Sequence, residues 1–402
     1  MASQSASVQN QSDDGMTRLI ITPRPGVAED LRPPEEIGCF SLDDQRAIFM
    51  DRREARRCIE IPDGSLAWDL NEGFADFQWR DEDNIKAEGI KPMLEWIMAH
   101  PAVVKRFSNT KRFSNTNFVL KRGVMTDIMT APYESKSKFP KEWRLKVCRH
   151  RNTIYLCKDV EFPQWKSFSS ASPREQQTTH WGFKFESYCT ASVNPEAEVN
   201  SKPNDTAGFD TVVYTQLADH SFILAAEVDG ELDRPGLSPP SNYVEMKTHR
   251  NLRTAYHTEM FHRHKLFRTW AQCHCIGVPD ILVGFRDDHG IVRSVQTYKA
   301  ADLPAMCKAK GYWSDSVCLN FAQDFFDWLW RSIEEADPLQ VQYEVTFQRP
   351  FKSVSLRKVE LTDESQAILS PAFLISMAAA AKVGEIDDSQ RKGFESNASR
   401  RL

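Results

Sequence analysis

The middle of the chain alternates short segments rich in apolar and β-branched residues with longer segments of helical periodicity. Residues 211–215, 221–229 and 243–248 have the composition of β-strands. Residues 234–242, rich in Pro, Gly and Ser, separate the last two strands. A further strand is predicted at 281–285.

Two segments repeat apolar residues at helical spacing. The first ends at Gly277, and its face consists of Leu252, Tyr256, Met260, Phe267, Trp270 and His274. The second spans 317–335, and its face consists of Phe321, Phe325, Trp328 and Leu329. Strands and helices in this order predict an α+β (mixed α/β) fold with twisted mixed β-sheets flanked by helices.

The chain is expected to form one large unit. Residues 1–16 are polar and predict a disordered tail, and residues 384–402 predict a flexible one. No long linker interrupts the sequence between them, so 17–383 should be a single catalytic domain. The hexapeptide KRFSNT occurs twice in tandem, at 105–110 and 111–116, and is interpreted as a duplication in a surface loop.

The composition is that of an ordinary globular protein, with one local asymmetry of charge. The 402 residues include 51 Lys and Arg against 56 Asp and Glu, and 41% are hydrophobic. These values exclude a wholly disordered, collagen-like or coiled-coil chain. From 101 to 152, however, 13 basic residues stand against three acidic ones. This stretch indicates either an anionic partner such as a phosphate backbone or a solvated basic surface.

Nothing in the sequence indicates secretion or a membrane. A polar run follows Met1, and the longest strongly apolar stretch, 372–381, is shorter than the roughly 20 residues that span a bilayer. The nine cysteines form no short-spaced framework, which indicates reduced thiols. We therefore expect an intracellular, soluble protein in the nucleus, the cytoplasm or both, with no membrane partner.

Acidic residues interrupt two of the predicted strands. Glu227 and Asp229 are two positions apart, as are Glu245 and Lys247, so each pair projects to one side of its strand. Burying three carboxylates together is costly unless cations neutralise them, and carboxylate oxygens suit Mg²⁺ or Mn²⁺. The alternative is that the acid–lysine alternation belongs to a solvent-exposed strand edge.

Two further residues favour the metal site. Glu186 in GFKFE supplies a fourth carboxylate if its element packs beside the sheet, and Gln272 near the end of the first predicted helix could orient a water molecule. Zinc is not favoured, because neither Cys-x-x-Cys nor His-x₃-His spacing occurs among His262, His264, Cys273, His274 and Cys275.

With these motifs, the chain resembles the DXO-type decapping exoribonuclease family. An acid pair followed about 15 residues later by Glu-x-Lys also matches the PD-(D/E)XK nuclease signature. The family's motifs occur here in order as Arg122 in KRGVMTDIMTAPYE, Glu186 in GFKFE, Glu227 and Asp229 in EVD, Glu245 and Lys247 in EMK, and Gln272 in WAQ. The flanking strings GCFSLDDQR, GVPDILVGFR and SVCLNF agree as well, and the resemblance covers residues 36–358.

The resemblance implies a PD-(D/E)XK-like core that binds two Mg²⁺ (or Mn²⁺) ions. Their ligands would be the side chains of Glu186, Glu227, Asp229 and Glu245 and the backbone carbonyl of Met246. Lys247 and Gln272 would complete the catalytic set with Glu227, Asp229 and Glu245 by orienting the water or holding the reacting phosphate. Arg122 would bind an RNA phosphate through its guanidinium. The alternative for Arg122 is a structural ion pair.

The resemblance also assigns substrate-contacting positions. These are Arg46, Glu88, Lys121, Arg122, Gly123, Asp210, Glu227, Lys247 and Gln272. Asp210 stands where a cysteine is common in the family, and Lys121 and Val124 stand where bulkier aromatic residues are common. These departures concern the cap preference and leave the metal site intact.

The implied function is a metal-dependent hydrolase of RNA 5′ ends. It would remove incomplete or unconventional caps (unmethylated guanosine, 5′ triphosphate, NAD or similar nucleotide caps) and degrade the RNA from 5′ to 3′. Its partner would be a single-stranded RNA 5′ end, with no preference for DNA, and some relatives also bind a larger 5′-to-3′ exonuclease. The alternative is a catalytically weak RNA 5′-end-binding or exonuclease-activating protein. The presence of all four carboxylates favours the active enzyme.

Overall fold

The computed structural model describes residues 8–9, 16–62, 66–101, 103, 116–162, 171–193, 204–363 and 366–379. The expected tails at 1–16 and 384–402 lie almost wholly outside these ranges. Within the first tail, Val8–Gln9 pair with the following strand. The two KRFSNT copies also lie outside the described residues, except for Thr116.

The described strands are numbered in chain order. They are β1 (Val8–Gln9), β2 (Thr17–Ile20), β3 (Glu35–Leu42), β4 (Ile48–Phe49), β5 (Arg56–Cys58), β6 (Trp68–Asp69), β7 (Phe118–Lys121), β8 (Trp143–His150), β9 (Thr153–Lys158), β10 (Thr190–Ser192), β11 (Gly208–Leu217), β12 (His220–Glu227), β13 (Gly230–Glu231), β14 (Tyr243–Arg250), β15 (Asp280–Arg286), β16 (Ile291–Lys299), β17 (Val341–Phe347) and β18 (Ser353–Glu360).

The strands form two mixed sheets. The larger has the order β1-β2-β18-β17-β8-β9-β7-β12-β11-β3-β4, and the smaller β10-β5-β13-β14-β15-β16-β6. Strand β7 pairs in parallel with both β12 and β9, and β14 pairs in parallel with β15, whereas most other pairs are antiparallel. The chain passes from the larger sheet to the smaller one between β12 and β13.

The described helices are also numbered in chain order. They are α1 (Glu82–Glu88), α2 (Lys91–Ala99), α3 (Arg122–Thr130), α4 (Pro173–Cys189), α5 (Ala255–Met260), α6 (Phe267–Ile276), α7 (Leu303–Ala309) and α8 (Asp315–Ser332), with a further helix at 371–379. Short 3₁₀ segments occur at Phe74–Asp76, Ala131–Lys136 and Ala300–Asp302, and a π-helical segment, Phe261–Leu266, joins α5 to α6. None of the described helices combines the length and apolar character that a membrane crossing needs.

The largest core lies between the two sheets and encloses helices α3, α6 and α8. Alternation on β12 shows how the sequence builds it: Phe222 and Leu224 point into this core, whereas Ile223 and Ala225 point into a second core beneath α2. Both faces of β12 are therefore buried, which explains its nearly continuous apolar sequence. A third core packs α4 against β14.

The predicted elements are found, with shifted ends. The predicted class, a mixed α/β fold with mixed sheets flanked by helices, is confirmed. The first predicted helix begins at Ala255, where Thr254 accepts the capping hydrogen bond from the His257 amide, and it ends at Gly277 with φ 76°. The predicted strand at 221–229 ends at Glu227 instead, because the chain leaves the larger sheet there. The second helix ends at Ser332 rather than 335.

Candidate active site

Four carboxylates come from four different parts of the fold. Glu227 is the last residue of β12, and Asp229 lies in the crossing between β12 and β13. Glu245 lies inside β14, and Glu186 lies in the last turns of α4, which packs against β14. The region where the two sheets meet therefore gathers residues separated by up to 59 positions in the sequence.

Helix α4 is fixed at its start and along its buried face. Ser172 caps it, and a reciprocal capping box with Glu175 satisfies two backbone amides. Phe185, fully buried, lies against Gly284 of β15, where the absence of a side chain allows the ring to approach the sheet. Because the ring packs so closely, the neighbouring residue Glu186 lies beside β14.

Three of the carboxylates line one cleft of about 350 Å³. Glu186, Glu227 and Asp229 contribute to its wall, together with Phe183 and Lys184 of α4. Gly208 stands opposite Glu227, and a Cβ there would lie 3.3 Å from Glu227 Oε1. The cleft is therefore acidic and open to solvent on the side of Glu227, which is exposed.

Glu245 is the most deeply buried of the four, and it is paired with two cations. Arg122 Nη1 donates a hydrogen bond to its Oε2 at 2.7 Å, and Lys247 Nζ lies 2.5 Å from its Oε1. Burial opposes ionisation of Glu245, but Arg122 and Lys247 more than offset it and lower the pKa of Glu245 to about 2. Glu245 is therefore ionised at neutral pH.

Asp229 is held by β14 as well. Its Oδ2 accepts a hydrogen bond from the Met246 amide at 2.6 Å and lies 3.5 Å from Lys247 Nζ. Burial, with Glu245 adding repulsion, raises the pKa of Asp229 to about 6 despite Lys247. Lys247 Nζ also donates to the Met246 carbonyl at 2.8 Å, so this ammonium links the atoms expected to act as ligands.

In the other two carboxylates, Glu186 and Glu227, the ionised form is disfavoured. Burial and the nearby Asp229 raise the pKa of Glu186 well above its usual value. Although Glu227 is exposed to the cleft, the protein packed around its carboxyl group reduces its solvation and raises its pKa, and Asp210 raises this pKa further. Among the described residues, the cations in contact with Asp229 and Glu245 are Arg122 and Lys247. Ionising Glu186 and Glu227 as well would therefore be favoured by a further cation between the four acids.

The donor set fits a hard divalent cation, although the side chains are not arranged around one point. No three His, Cys, Asp or Glu side chains among the described residues are close enough to hold one ion. The reason lies in the pairings above, since Glu245 is turned to Arg122 and Lys247, and Asp229 is turned to a backbone amide. Carboxylate and carbonyl oxygens are the ligands that Mg²⁺ and Mn²⁺ prefer. Binding would require changes of side-chain rotamer within the cluster.

A cationic group lies at the side of the cluster nearest Glu227. The Arg46 guanidinium donates two hydrogen bonds to the Glu88 carboxylate, from Nε to Oε2 at 2.7 Å and from Nη2 to Oε1 at 2.9 Å. Lys121 Nζ lies 3.4 Å from the same carboxylate. These three residues, expected from the sequence to contact substrate, are thus brought together. Arg46, Arg80 and Arg122 all influence the ionisation of Glu227.

The start of α3 forms the floor beside these cations. No side chain caps its N-terminus, and Gly123 in the first turn is exposed, with open space where a Cβ would be. A free helix N-terminus presents amide groups to an anion. Arg122 begins the same helix, so a phosphate bound there would meet both amides and a guanidinium.

Asp210 and Gln272 lie on opposite sides of the cluster. Asp210 pairs directly with Glu227 across β11 and β12, and burial raises its pKa even though Lys121 lowers it. Gln272 is half-buried in α6. Its neighbour Cys273 is fully buried, and burial followed by the charge of Glu245 raises the pKa of the Cys273 thiol. This turn of α6 therefore adjoins Glu245.

The structure adds two residues that the sequence analysis missed. Arg80 Nη2 contacts Glu88 at 2.9 Å from a segment without regular secondary structure, and no sequence pattern indicated it. Lys265 lies seven residues before Gln272 on the same helical face. Burial, with Lys247 next in effect, lowers the pKa of Lys265 to about 8. Helical spacing from Gln272 could have identified it.

Comparison with known proteins decides the family. A family model described as "RAI1 like PD-(D/E)XK nuclease" matches residues 32–374. The chain belongs to this family. The human decapping and exoribonuclease protein is 31% identical over 318 residues, 76% of this chain and 77% of that protein. The decapping nuclease RAI1 of Aspergillus fumigatus is 30% identical over 358 residues, 86% of this chain and 93% of that protein.

Solved structures confirm the fold of the RAI1-like chain. Scheffersomyces stipitis Rai1, in complex with (3′-NADP)⁺ and calcium ion, has a TM-score of 0.73 at 23% identity and covers 90% of this chain and 99% of its own. Candida albicans Rai1, in complex with pU5-Mn²⁺, has a TM-score of 0.74 at 20% identity, covering 91% and 99%. The expected family, nuclease class and PD-(D/E)XK-like fold are confirmed.

Proposed function

We propose that this RAI1-like chain is a divalent-metal-dependent hydrolase of RNA 5′ ends. It removes incomplete or unconventional caps, namely unmethylated guanosine, 5′-triphosphate and NAD-type caps, and degrades the RNA from 5′ to 3′. The observation that carries the proposal is the buried Glu245–Lys247 pair on β14, surrounded by Glu186, Glu227 and Asp229 and adjoined by a cationic group.

The metal ligands in this proposal are Glu186, Glu227, Asp229, Glu245 and the Met246 carbonyl, which together hold two Mg²⁺ or Mn²⁺ ions. When bound, such ions activate a water molecule and stabilise charge on the leaving oxygen. The raised pKa values of Glu186, Glu227 and Asp229 support this assignment, because they show that ionising these acids together is costly unless further cations bind. The manganese and calcium ions in the complexes of two Rai1 relatives support it as well.

Lys247 and Gln272 act on the reacting phosphate and the attacking water. The Lys247 ammonium already lies within 3.5 Å of Asp229, Glu245 and the Met246 carbonyl. From that position it places positive charge where a phosphate oxygen becomes more negative. Gln272, on the adjoining face of α6, offers an amide that can orient a water by donating or accepting a hydrogen bond.

The 5′ end is recognised beside the cluster. Arg122 and the open N-terminus of α3 at Gly123 hold a backbone phosphate. Arg46, Lys121 and the added Arg80 attract the phosphates of a cap, while Glu88 fixes their geometry by pairing with all three. Asp210 lies at this end of the cleft and contributes to the choice of cap.

One active site serves both cap removal and 5′-to-3′ degradation, because each reaction hydrolyses a phosphodiester that joins successive nucleotides. Two relatives supply matching ligands: S. stipitis Rai1 was solved with (3′-NADP)⁺, a dinucleotide, and C. albicans Rai1 with pU5. The larger 5′-to-3′ exonuclease expected as a protein partner stays a prediction, as does a location in the nucleus or cytoplasm.

The test is incubation of the protein with RNAs that differ at the 5′ end, in Mg²⁺, Mn²⁺ or EDTA. Chromatography of the released nucleotides should show cap release and mononucleotides in the metal ions and neither in EDTA. The double variant Glu227→Gln, Asp229→Asn should fall to the EDTA background while retaining the fold and RNA binding.

The matched control is Glu161→Gln, which removes an exposed carboxylate whose one ion pair within the described residues is with Lys146 at 3.4 Å. It should hydrolyse at the wild-type rate. Cap or mononucleotide release by the double variant at that same rate would mean that the site lies elsewhere. RNA binding by a wild-type protein that releases nothing would favour the alternative of an exonuclease-activating protein.

A further inference from the structure

A second cavity lies beyond the C-terminal end of α3, the helix whose first residue, Arg122, contacts Glu245. Its volume is about 490 Å³. Its lining residues between Phe261 and Ile276 are Arg263, His264, Phe267 and Arg268, and no residue that lines this cavity also lines the acidic cleft. The remaining walls come from the 3₁₀ segment Ala131–Lys136 with the loop after it, and from the residues preceding α8. The cavity is thus separate from the acidic cleft.

Aromatic rings form much of this cavity, and its floor is fixed. The Phe267 and Trp313 rings have centroids 5.1 Å apart. Trp313 Nε1 donates to the His262 carbonyl at 3.1 Å, and the Ser314 amide donates to Tyr133 Oη at 2.8 Å. These bonds hold the aromatic residues in place before any ligand binds.

One further ring stands at the rim. Phe139 is 75% exposed, so its ring is accessible to a ligand. On the far side, the Arg263 guanidinium lies 4.6 Å from the centre of the Tyr312 ring. Flat apolar surfaces at the rim and at Tyr312 suit a planar aromatic ligand.

The cavity is also positively charged. Lys136 and Lys308 line it, and in the described part of the chain neither ammonium has a carboxylate within ion-pair distance. The acidic residue that lines the cavity, Glu134, is already paired: its carboxylate lies 3.1 Å from Arg268 Nη1 and accepts a hydrogen bond from the Lys141 amide at 2.9 Å. Burial, with Arg263 and Lys138 next, lowers the pKa of His264, as expected in a positive field.

We propose that this cavity binds a nucleotide unit of the single-stranded RNA body, downstream of the 5′ end held in the acidic cleft; the inference rests on the function proposed above. A base stacks on the exposed aromatic rings, and the adjoining phosphates meet Lys136 and Lys308. Aromatic stacking combined with a cationic groove is the chemistry by which proteins bind single strands irrespective of sequence. Two other ligands fit the cavity less well. Inorganic phosphate would make no contact with the aromatic rings, and an apolar peptide would leave Lys136 and Lys308 without a partner.

The arrangement makes binding depend on RNA length. The nine residues of α3 span about 13 Å, so a strand with its 5′ end in the cleft must extend along at least this distance to reach the second cavity. An RNA of about 4 nucleotides fills the cleft alone, whereas one of about 20 nucleotides exceeds both sites. The second cavity should therefore add affinity only for the longer RNA.

The experiment measures binding of fluorescein-labelled, 5′-phosphorylated RNAs of these two lengths by anisotropy in EDTA, which blocks metal-dependent hydrolysis. The variants are Phe139→Ala and Lys136→Glu with Lys308→Glu. Their controls are Ile375→Ala, which truncates another exposed apolar side chain (71% exposed), and Lys358→Glu, which reverses an exposed lysine on β18. Hydrolysis of the short RNA in Mg²⁺ is measured in parallel.

We expect both cavity variants to bind the longer RNA at least about fivefold more weakly, as the loss of one stacked base or of phosphate contacts implies. The double lysine variant should also show a salt dependence shallower by about 0.7 per lost phosphate contact. The controls, the affinity for the short RNA and its rate of hydrolysis should not change. A 4-thiouridine in the RNA body should photo-crosslink to the segment that contains Phe139 or Tyr312.

Two results would overturn the inference. One is wild-type affinity of the cavity variants for the longer RNA, which would leave the cavity to a protein partner. The other is an equal loss for the short RNA, which would place these residues at the 5′ end. Failure of the wild-type protein to hydrolyse any RNA would contradict the proposed function instead, and it would leave the length-dependent binding to be judged by the anisotropy data alone.

Discussion

Arg122 and Glu245, 123 positions apart in the sequence, form the central ion pair of the candidate active site, with Nη1 donating to Oε2 at 2.7 Å. Only 2% of the Glu245 side chain and 14% of the Arg122 side chain are exposed. In the proposed mechanism the same carboxylate binds metal and the same guanidinium binds phosphate. A cation that takes Glu245 from Arg122 therefore frees Arg122 for RNA, so metal and RNA should each strengthen the binding of the other.

Replacing Arg122 by Ala should separate these two effects. Metal affinity should rise by at least about fivefold, because a positive charge next to the carboxylates is removed. RNA affinity should fall, with a salt dependence shallower by about 0.7 on single-stranded RNA. Calorimetry with Mn²⁺ and anisotropy with RNA measure the two quantities. Arg122→Lys keeps the charge and is the control for the metal effect. An unchanged salt slope in Arg122→Ala would argue against a phosphate contact.

Glu186→Gln should stabilise the fold while removing activity. Burial and Asp229 raise the pKa of Glu186, so in the folded state its ionised form is disfavoured relative to the unfolded chain. The penalty is absent at a pH below the unfolded value of about 4.3, and it grows as the pH rises towards the folded pKa. In EDTA at pH 7.5 the variant should gain about 0.5–2 kcal/mol in free energy of unfolding.

Urea denaturation at two pH values tests the cause of that gain. At pH 4 the acid is largely neutral in both states, so the variant and the wild type should unfold at nearly the same urea concentration. Glu161→Gln, at an exposed position, should change neither value by more than about 0.5 kcal/mol. A gain of equal size at both pH values would show that side-chain packing, rather than charge, is responsible.

Metal binding should weaken in acid because of Asp229. Its pKa is raised to about 6, chiefly by burial, and a protonated carboxyl group is a poor metal ligand. At pH 5 only about a tenth of Asp229 is ionised, so Mn²⁺ should bind about tenfold more weakly than at pH 7.5. Asp229→Asn should bind weakly at both values, without this pH step. The step is measured by calorimetry, and its persistence in Asp229→Asn would assign it to another acid.

The sequence predicted which acidic and basic residues lie side by side on a strand, but it did not predict their contacts with residues from other parts of the fold. Alternation on a strand predicted that Glu245 and Lys247 share a side, and they do contact each other. It could not show that Arg122, assigned to RNA, pairs with Glu245, because the contact joins helix α3 to a strand of the other sheet. Arg80 was missed for a similar reason. It lies in a segment without regular secondary structure, and the sequence does not predict that this segment brings Arg80 to Glu88 at the end of α1.

The position of Glu186 should depend on a glycine in the neighbouring strand. A Cβ on Gly284 would lie 2.8 Å from Cδ2 of Phe185, and the fully buried ring could not yield without moving α4. Gly284→Ala should therefore cost about 1–3 kcal/mol in free energy of unfolding and weaken Mn²⁺ binding by displacing Glu186. Gly182→Ala is the control on the same helix, because in the described part of the chain no atom outside the helix's own backbone lies within 4 Å of an added Cβ. It should instead stabilise α4 by about 0.5–1 kcal/mol. Wild-type metal affinity in Gly284→Ala would show that the Phe185 contact does not set the position of Glu186.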